Sequence, residues 1–413
     1  MEQRRLDRST DAIVALDVSI VMPCLDEVGC LSHCIANARA ALAEIEARYG
    51  IAGEIVVADN GSTDGSQELA RSLGARVIGV PSRGYGAALI GGCAAAFGRY
   101  IVIGDADGSY DFSDGIAMLA RLIDGADVCL GSRFRGGIEP GAMPWKNRYI
   151  GNPLLTSILN LFFGANVEDA HCGLRAMTRA CFHDLGLSGA GMEFASEMVI
   201  KAVLKRKRID QVPATLSRDL RQRAPHLRPW RDGWRHLRYL LMLSPTWLFG
   251  VPAAFAMALG ALILASAGCD RLGLIHGFMP FGASWTIVGG FLLSVGHFAS
   301  LMAVTTHFYG VRRGYRGLRP WLARVSPLLT LEGALALGSV MMATSLLIFV
   351  SIVFEWSSIG FTALPSILPV TLASVFGSIG VQTVLGGFVL AIIADHDVRL
   401  APLVPVSTIR AIL

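Results

Sequence analysis

Four long apolar stretches, at about 246–268, 284–306, 329–354 and 366–394, limit what this chain can fold into more than any other feature. Each reaches the roughly twenty apolar residues that a helix needs to cross a bilayer, and four crossings return the chain to the side it started from. The polarity lies elsewhere. Up to about Arg238, short apolar strands alternate with helices at ordinary charge density, which predicts an α/β domain ahead of an all-α membrane domain. The mean hydropathy of +0.52 and the charged fraction of 16% average over these two unlike halves. Met1 to Asp17 carries charges and no apolar core of signal-peptide length, so the amino terminus is expected to stay in the cytoplasm.

The charges orient the spans. Lys205 to Arg208, Arg218, Arg221, Arg223, Arg228, Arg231, Arg235 and Arg238 precede the first span, and Arg312, Arg313, Arg316, Arg319 and Arg324 lie between the second and third. The opposite loops carry only Asp270, Arg271 and Glu355, so the positive-inside rule predicts a cytoplasmic α/β domain and two cytoplasmic termini. Trp230 and Trp234, interleaved with Arg231, Arg235 and Arg238, have the composition of a helix lying in the bilayer interface. The net charge of +4 is small and its basic residues cluster beside apolar segments, which fits an anionic membrane face and not a nucleic acid. The eight cysteines (24, 30, 34, 93, 129, 172, 181 and 269) form no CxxC pair, so free thiols are expected, with neither disulfides nor a zinc site.

In the α/β half, Ile101-Val102-Ile103-Gly104 reads as a buried central strand that runs into Asp105-Ala106-Asp107-Gly108-Ser109-Tyr110-Asp111. Such strands present ligands at their carboxyl ends, and Asp105 and Asp107, two residues apart, point the same way in extended backbone. Hard oxygens on one side suit Mg²⁺ or Mn²⁺ holding a diphosphate. Val18 to Met22, Glu54 to Ala58, Ala75 to Val80 and Asp127 to Leu130 read as further strands. Asp59 ends the second of these, where it could bond a base or ribose or simply cap the next turn. Arg133 follows the last and is either a phosphate ligand or a surface charge. Lys146, Arg148 and Asn152 open an amphipathic stretch through Phe163 that suits the bilayer interface or the core equally. Glu193 and Glu197, at i and i+4 on a helix, repel unless a cation lies near. The glycines of Gly84-Tyr85-Gly86 are better explained by close helix packing than by a dinucleotide site, and His171 is read as structural.

The order Pro23-Cys24-Leu25-Asp26-Glu27, Asp59-Asn60-Gly61-Ser62-Thr63-Asp64, Asp105-Ala106-Asp107, Gly131-Ser132-Arg133 and Asp169 to Arg175 resembles family 2 glycosyltransferases of the GT-A fold. The nearest branch is the polyprenyl-phosphate glycosyltransferases, similar to dolichol-phosphate mannose or glucose synthases. The resemblance implies a Rossmann-like mixed sheet and inverting, metal-dependent transfer of a hexose from a donor of the UDP-glucose or GDP-mannose class to polyprenyl phosphate. It implies that Pro23, Glu27, Asp59 and Asp105 hold the nucleotide sugar, and that Asp105, Asp107 and Ser109 hold Mg²⁺ or Mn²⁺. Arg133, Arg148 and Asn152 would take the acceptor phosphate, and Asp107, Arg133 and Asp169 would form the catalytic set, with Asp169 a base only toward a hydroxyl acceptor. The chain departs from the family pattern at Asp26, Asn60 and Ser109, where Asn, Asp and Gln are usual. No Gln-x-x-Arg-Trp segment marks a processive polysaccharide synthase.

The expected organisation is a tail at 1–17, the catalytic domain at 18–217, a basic amphipathic segment at 218–245, the membrane domain at 246–395 and a tail at 396–413. The expected setting is a bacterial inner membrane, with the nucleotide sugar, the lipid phosphate and the bilayer as partners, no nucleic acid, and room for a homo-oligomer.

Overall fold

The computed structural model describes residues 16–221, 229–274, 284–314, 316–318, 322 and 329–394. The expectations for residues 1–15 and 396–413, for Arg223, Arg228, Arg319 and Arg324, and for the side chain of Trp230 lie outside the described residues, whereas Leu16 and Asp17, expected in the tail, open the first strand. The chain divides into two compact units, Met1–Leu240 and Leu241–Leu413.

The first unit is built on seven strands: β1 (Leu16–Cys24), β2 (Ala52–Asp59), β3 (Arg76–Gly79), β4 (Tyr100–Ile103), β5 (Val128–Ser132), β6 (Arg175–Thr178) and β7 (Ile209–Pro213). Their order in the sheet is β3-β2-β1-β4-β6-β5-β7. From β3 to β4 the neighbours are parallel, joined by helices α1 (Val28–Tyr49), α2 (Ser66–Ser72) and α3 (Tyr85–Ala95). The chain moves outward from β1 to β3 and then returns to place β4 on the other side of β1, so a crevice opens at the carboxyl ends of β1 and β4. The register puts Cys24 beside Asp59 and Val21 beside Ile103. Pro23, Asp59 and Asp105 therefore share one rim.

These strands are central because they are apolar on both faces. Val18, Ile20, Val21 and Met22 of β1 and all four residues of β4 are buried. Helix α1 covers one face with Leu31, Cys34, Ile35, Ala38, Ala41 and Ile45, at helical spacing, and each large side chain so buried stabilises by about 1.5–3 kcal/mol. It stops at Gly50, whose left-handed backbone lets its N–H bond Glu46 O. Helix α4 (Asp114–Ile123) follows β4, and β6 enters antiparallel between β4 and β5, which makes the sheet mixed. Helices α5 (Arg133–Gly136), α6 (Asn152–Phe163), α7 (Arg179–Leu185), α8 (Phe194–Leu204) and α9 (Pro229–Met242) complete the order in this part of the chain.

The glycines of the 84–86 turn are needed for close approach. A Cβ on Gly84 would lie 2.1 Å from Ala190 O and one on Gly86 2.1 Å from Gly189 O. The loop at 188–191 against which this turn packs explains Glu193, the residue before α8, and Glu197 in its first turn. Glu197 accepts from Ser188 N and Gly189 N and pairs with Lys201 Nζ at 2.7 Å, while Glu193 turns away to Gly191 N, so the cation that relieves the repulsion is Lys201.

In the second unit α10 (Val251–Arg271) continues a π-helical turn at Thr246–Gly250 and is followed by α11 (Trp285–Arg312), α12 (Leu331–Ser358) and α13 (Leu368–Ile393). All four are long and apolar enough to cross a bilayer. Small residues bring α12 and α13 together: a Cβ on Gly338 would lie 2.7 Å from Gly380 O. Between α11 and α13, Ser294, Ser378 and Gln382 bond one another, and His297 bonds Thr383.

Candidate active site

The rim is stitched together by its loops before any ligand is considered. Asp26, at φ 55°, accepts from Thr63 N, and in return Ser62 Oγ and Ser66 Oγ accept from Asp26 N and Glu27 N. Asn60 donates through Nδ2 to Val80 O and Ser82 O and accepts from Gly84 N. A carboxylate could not make the two donations, which gives Asn60 a physical reason. Asp59 is buried and accepts from Gly61 N, Ser62 N and Gln67 Nε2, so capping accounts for most of its bonding capacity.

Asp105 and Asp107 stand at the end of β4, as their spacing requires. Tyr85 donates its hydroxyl to Asp105 Oδ1 at 2.8 Å, while Asp105 Oδ2 accepts no hydrogen bond among the described residues. Burial first, and then the charge of Asp107, push the Asp105 carboxyl above its ordinary range. Gly173 lies so close that a Cβ there would be 2.5 Å from Asp105 Oδ2, and its N–H donates to Tyr110 Oη. Asp107 is buried. Its Oδ1 accepts from Ser109 N and from Ser109 Oγ at 2.6 Å, so the structure turns the Ser109 hydroxyl onto Asp107.

A residue assigned by its sequence to the juxtamembrane charge run completes this site. Residues 216–221 run beside 107–110, with Leu216 bridged to Tyr110, Ser217 N bonded to Ser109 O and Leu220 N to Asp107 O. This strap delivers Arg221, which pairs with Glu27 Oε1 at 2.8 Å and with Asp107 Oδ2 at 3.2 Å. Arg221 lies 194 residues from Glu27 in sequence, and nothing local distinguishes it from the other arginines of its run. Nothing in the sequence marks Tyr85 or Tyr110 either, since each acts through a contact made after folding.

Arg133 and Asp169 form a buried two-point pair, Nε to Oδ2 at 2.7 Å and Nη2 to Oδ1 at 2.8 Å. Burial alone would raise the Asp169 carboxyl, but the hydrogen bonds and charge of Arg133 outweigh it and hold the group below its usual range. A carboxylate so occupied is a weak base, and the reading of Asp169 as a base finds no support in this geometry. Arg175 is buried and ties Cys172 O, Ala195 O and Ala170 O. The run from Asp169 to Arg175 thus holds the rim in place. Arg148 and Asn152 sit apart, in the π-helical turn Asn147–Gly151 and at the start of α6; Arg148 reaches Ile138 O at 3.5 Å and Asn152 reaches Met143 Sδ. Neither bonds an acid of the crevice among the described residues. The surface around them is apolar and exposed, with Trp145, Tyr149, Ile150, Leu154 and Leu161 outward and only Thr156 and Leu159 of α6 buried.

Comparison with known proteins agrees with this arrangement. Residues 19–186 match the family described as Glycosyl transferase family 2, and residues 304–394 match the Glycosyltransferase family 2 C-terminal transmembrane region. The chain is 37% identical over 392 residues to the low-salt glycan biosynthesis hexosyltransferase Agl6 of Haloferax volcanii, covering 94% of this chain and 91% of that protein. It is 33% identical over 172 residues to a dolichyl-phosphate hexose transferase of the same organism, covering 42% of this chain and 73% of the relative. It is 28% identical over 227 residues to the dolichyl-phosphate beta-glucosyltransferase of Saccharomyces cerevisiae, covering 48% of this chain and 65% of the relative.

Proposed function

We propose that this chain, which belongs to glycosyltransferase family 2 and is an integral membrane glycosyltransferase, moves a hexose from a nucleotide diphosphate sugar to polyprenyl phosphate at the cytoplasmic face of a bacterial inner membrane. The observation that carries the reading is the crevice at the β1/β4 switch, where Glu27 and Asp107 pair with the guanidinium of Arg221 and Asp105 stands two residues before Asp107 at the end of β4. Three acids and one arginine with planar, two-point geometry are what a diphosphate and its counter-ion would meet. The names of the relatives support a lipid-phosphate acceptor, and so does the exposed apolar surface of α6 beside Lys146 and Arg148.

The donor set fits Mg²⁺ or Mn²⁺. These ions are commonly held by one or two carboxylates plus substrate phosphates and not by an all-protein cage. Among the described residues no three His, Cys, Asp or Glu gather, yet Asp105 Oδ2 is left open and Asp107 lies beside it. Asp105 and Asp107 would hold the ion, with Ser109 orienting Asp107. When bound, the ion neutralises the charge on the departing diphosphate.

In this reading Pro23, Glu27 and Asp59 line the nucleotide end of the crevice, and Arg221 orients the diphosphate. A lipid phosphate is already an anion, so no side chain need remove a proton. A phosphate oxygen bonds the anomeric carbon from the face opposite the diphosphate, the carbon–oxygen bond to the diphosphate breaks, and the configuration inverts. Arg148 and Asn152 guide the acceptor phosphate, and Arg133, steadied by Asp169, fixes the wall of that end. The test is the kinetics of Arg221→Ala. A fall of about tenfold to a hundredfold in kcat/KM for the nucleotide sugar, partly restored in Arg221→Lys, supports the assignment; an unchanged value refutes it.

A further inference from the structure

Helix α9 meets the wall of the crevice through a pair of histidines. Among its described side chains His236 and Leu240 are buried, and on the opposite side Arg231, Trp234, Arg235 and Arg238, at i, i+3, i+4 and i+7, are exposed. Ser196 Oγ lies 2.9 Å from His236 Nδ1, and the His236 ring meets the edge of the His171 ring with centroids 5.0 Å apart and planes at 82°. His171 in turn sits next to the buried ion pair, because its main-chain N–H donates to the Asp169 oxygen that also accepts from Arg133. One short path therefore joins a basic, tryptophan-bearing helix face to the side chain that holds Arg133.

An apolar contact would dock α9 with less cost. The Nε2 atom of His171 is buried without a hydrogen-bond partner, and such an atom ordinarily destabilises and calls for an explanation. Two imidazoles at this point make the docking directional: the His236 ring can turn only by giving up Ser196, and the His171 ring it abuts belongs to the residue whose main-chain N–H bonds the Asp169 carboxylate.

We propose that His236 is a positioning residue for the acceptor end of the site: seated on Ser196 and against His171, it makes the correct setting of the Asp169–Arg133 pair depend on α9 lying in its dock, with its Arg231–Arg238 face toward an anionic lipid surface. The inference rests on the reading of that end as the place where polyprenyl phosphate binds. It adds that the lipid surface and the acceptor site are coupled through one helix, so a membrane-borne acceptor is favoured by the enzyme's own position.

The experiment uses the full-length protein in vesicles of phosphatidylcholine and phosphatidylglycerol, with UDP-glucose and GDP-mannose each supplied with polyprenyl phosphate. For wild type, His236→Ala, His236→Gln and Ser196→Ala, the two KM values, kcat, the slow hydrolysis of donor without acceptor and the melting temperature are measured. The expected result for His236→Ala is a rise of about tenfold in KM for polyprenyl phosphate, with donor KM and donor hydrolysis unchanged. Glutamine should recover most of the loss, because its amide can still bond Ser196, and Ser196→Ala should show the same shift in smaller degree. An unchanged acceptor KM, a joint fall in melting temperature and both affinities, or a glutamine variant no better than alanine overturns the proposal. If His236→Ala does not fold, Ser196→Ala decides by the same criterion. A wild type that hydrolyses donor but glycosylates no polyprenyl phosphate overturns the functional reading itself, and the proposal with it, and is distinguished by appearing before any substitution is made.

Discussion

Asp105 and Asp107 are two residues apart and differently held: one bonds a tyrosine and leaves an oxygen open, while the other is locked by Ser109 and paired with Arg221. On the proposed mechanism Asp107→Asn lowers the rate by on the order of a hundredfold or more without loss of fold, and excess chelator does the same to wild type. Activity that persists in chelator removes the metal from the account. The arginines separate by environment. Arg133→Ala leaves the Asp169 carboxylate buried and uncompensated, which costs about 3–5 kcal/mol, so melting temperature and both substrate affinities should fall together. Arg148 is less buried and makes a long contact with Ile138 O and a ring contact with the exposed Tyr149, so Arg148→Ala should raise KM for the lipid by about tenfold and leave the melting temperature nearly alone. The acids were legible in the sequence because a strand with a two-residue repeat fixes where they point. Arg221 was not, since only the strap formed after folding sets it apart from its neighbours.

Among the elements, those with a strong period could be read and those set by tertiary context could not. The strands β1, β2 and β4 and helix α1 follow from apolar runs and helical spacing. Strand β6 is four residues long and begins with an arginine, and β7 contains Asp210 and Gln211, so neither carries the pattern of a strand even though one lies inside the sheet. Helix α6 is amphipathic, a pattern that suits core and interface equally; the structure exposes Leu154 and Leu161 at 55% and 62%, and that favours the interface. Replacing both by Asp should leave the melting temperature of the detergent-solubilised protein unchanged while lowering transfer to vesicle-borne acceptor, and equal activity in the two settings would contradict this. His171 predicts an acid sensitivity. Burial, with His236, Arg133 and Arg175 nearby and only Asp169 opposing, depresses its pKa to about 3. Below the unfolded value of about 6.5 the unfolded chain then binds the proton and the folded one does not, so stability is full above that pH and falls as the pH drops toward 3. The loss of melting temperature between about pH 7 and pH 5 should be smaller in His171→Phe than in wild type.

At the scale of the whole molecule the two-part design was visible from hydropathy alone, and the spans begin and end within a few residues of the apolar stretches except where polar ends such as Asp270 and Arg271 continue the helix. The orientation is a matter of charge. In intact cells an impermeant thiol reagent should label Ser358→Cys and not Arg313→Cys, and the reverse pattern would invert the topology. Seven of the eight free cysteines are buried, and Cys269, beside Asp270 on the same side as Ser358, is replaced by Ser in the labelled protein. The central claim, that the crevice of the first unit glycosylates a lipid carried by the membrane, is met most directly by one measurement. Purified full-length protein is incubated with Mg²⁺ or Mn²⁺, a panel of UDP- and GDP-sugars and polyprenyl phosphate, and the lipid extract is examined by mass spectrometry. A new species heavier than polyprenyl phosphate by one hexose, formed with a single donor and absent with Asp107→Asn, is the predicted result. Donor consumption in which the sugar never reaches polyprenyl phosphate, under any donor of the panel, would contradict it.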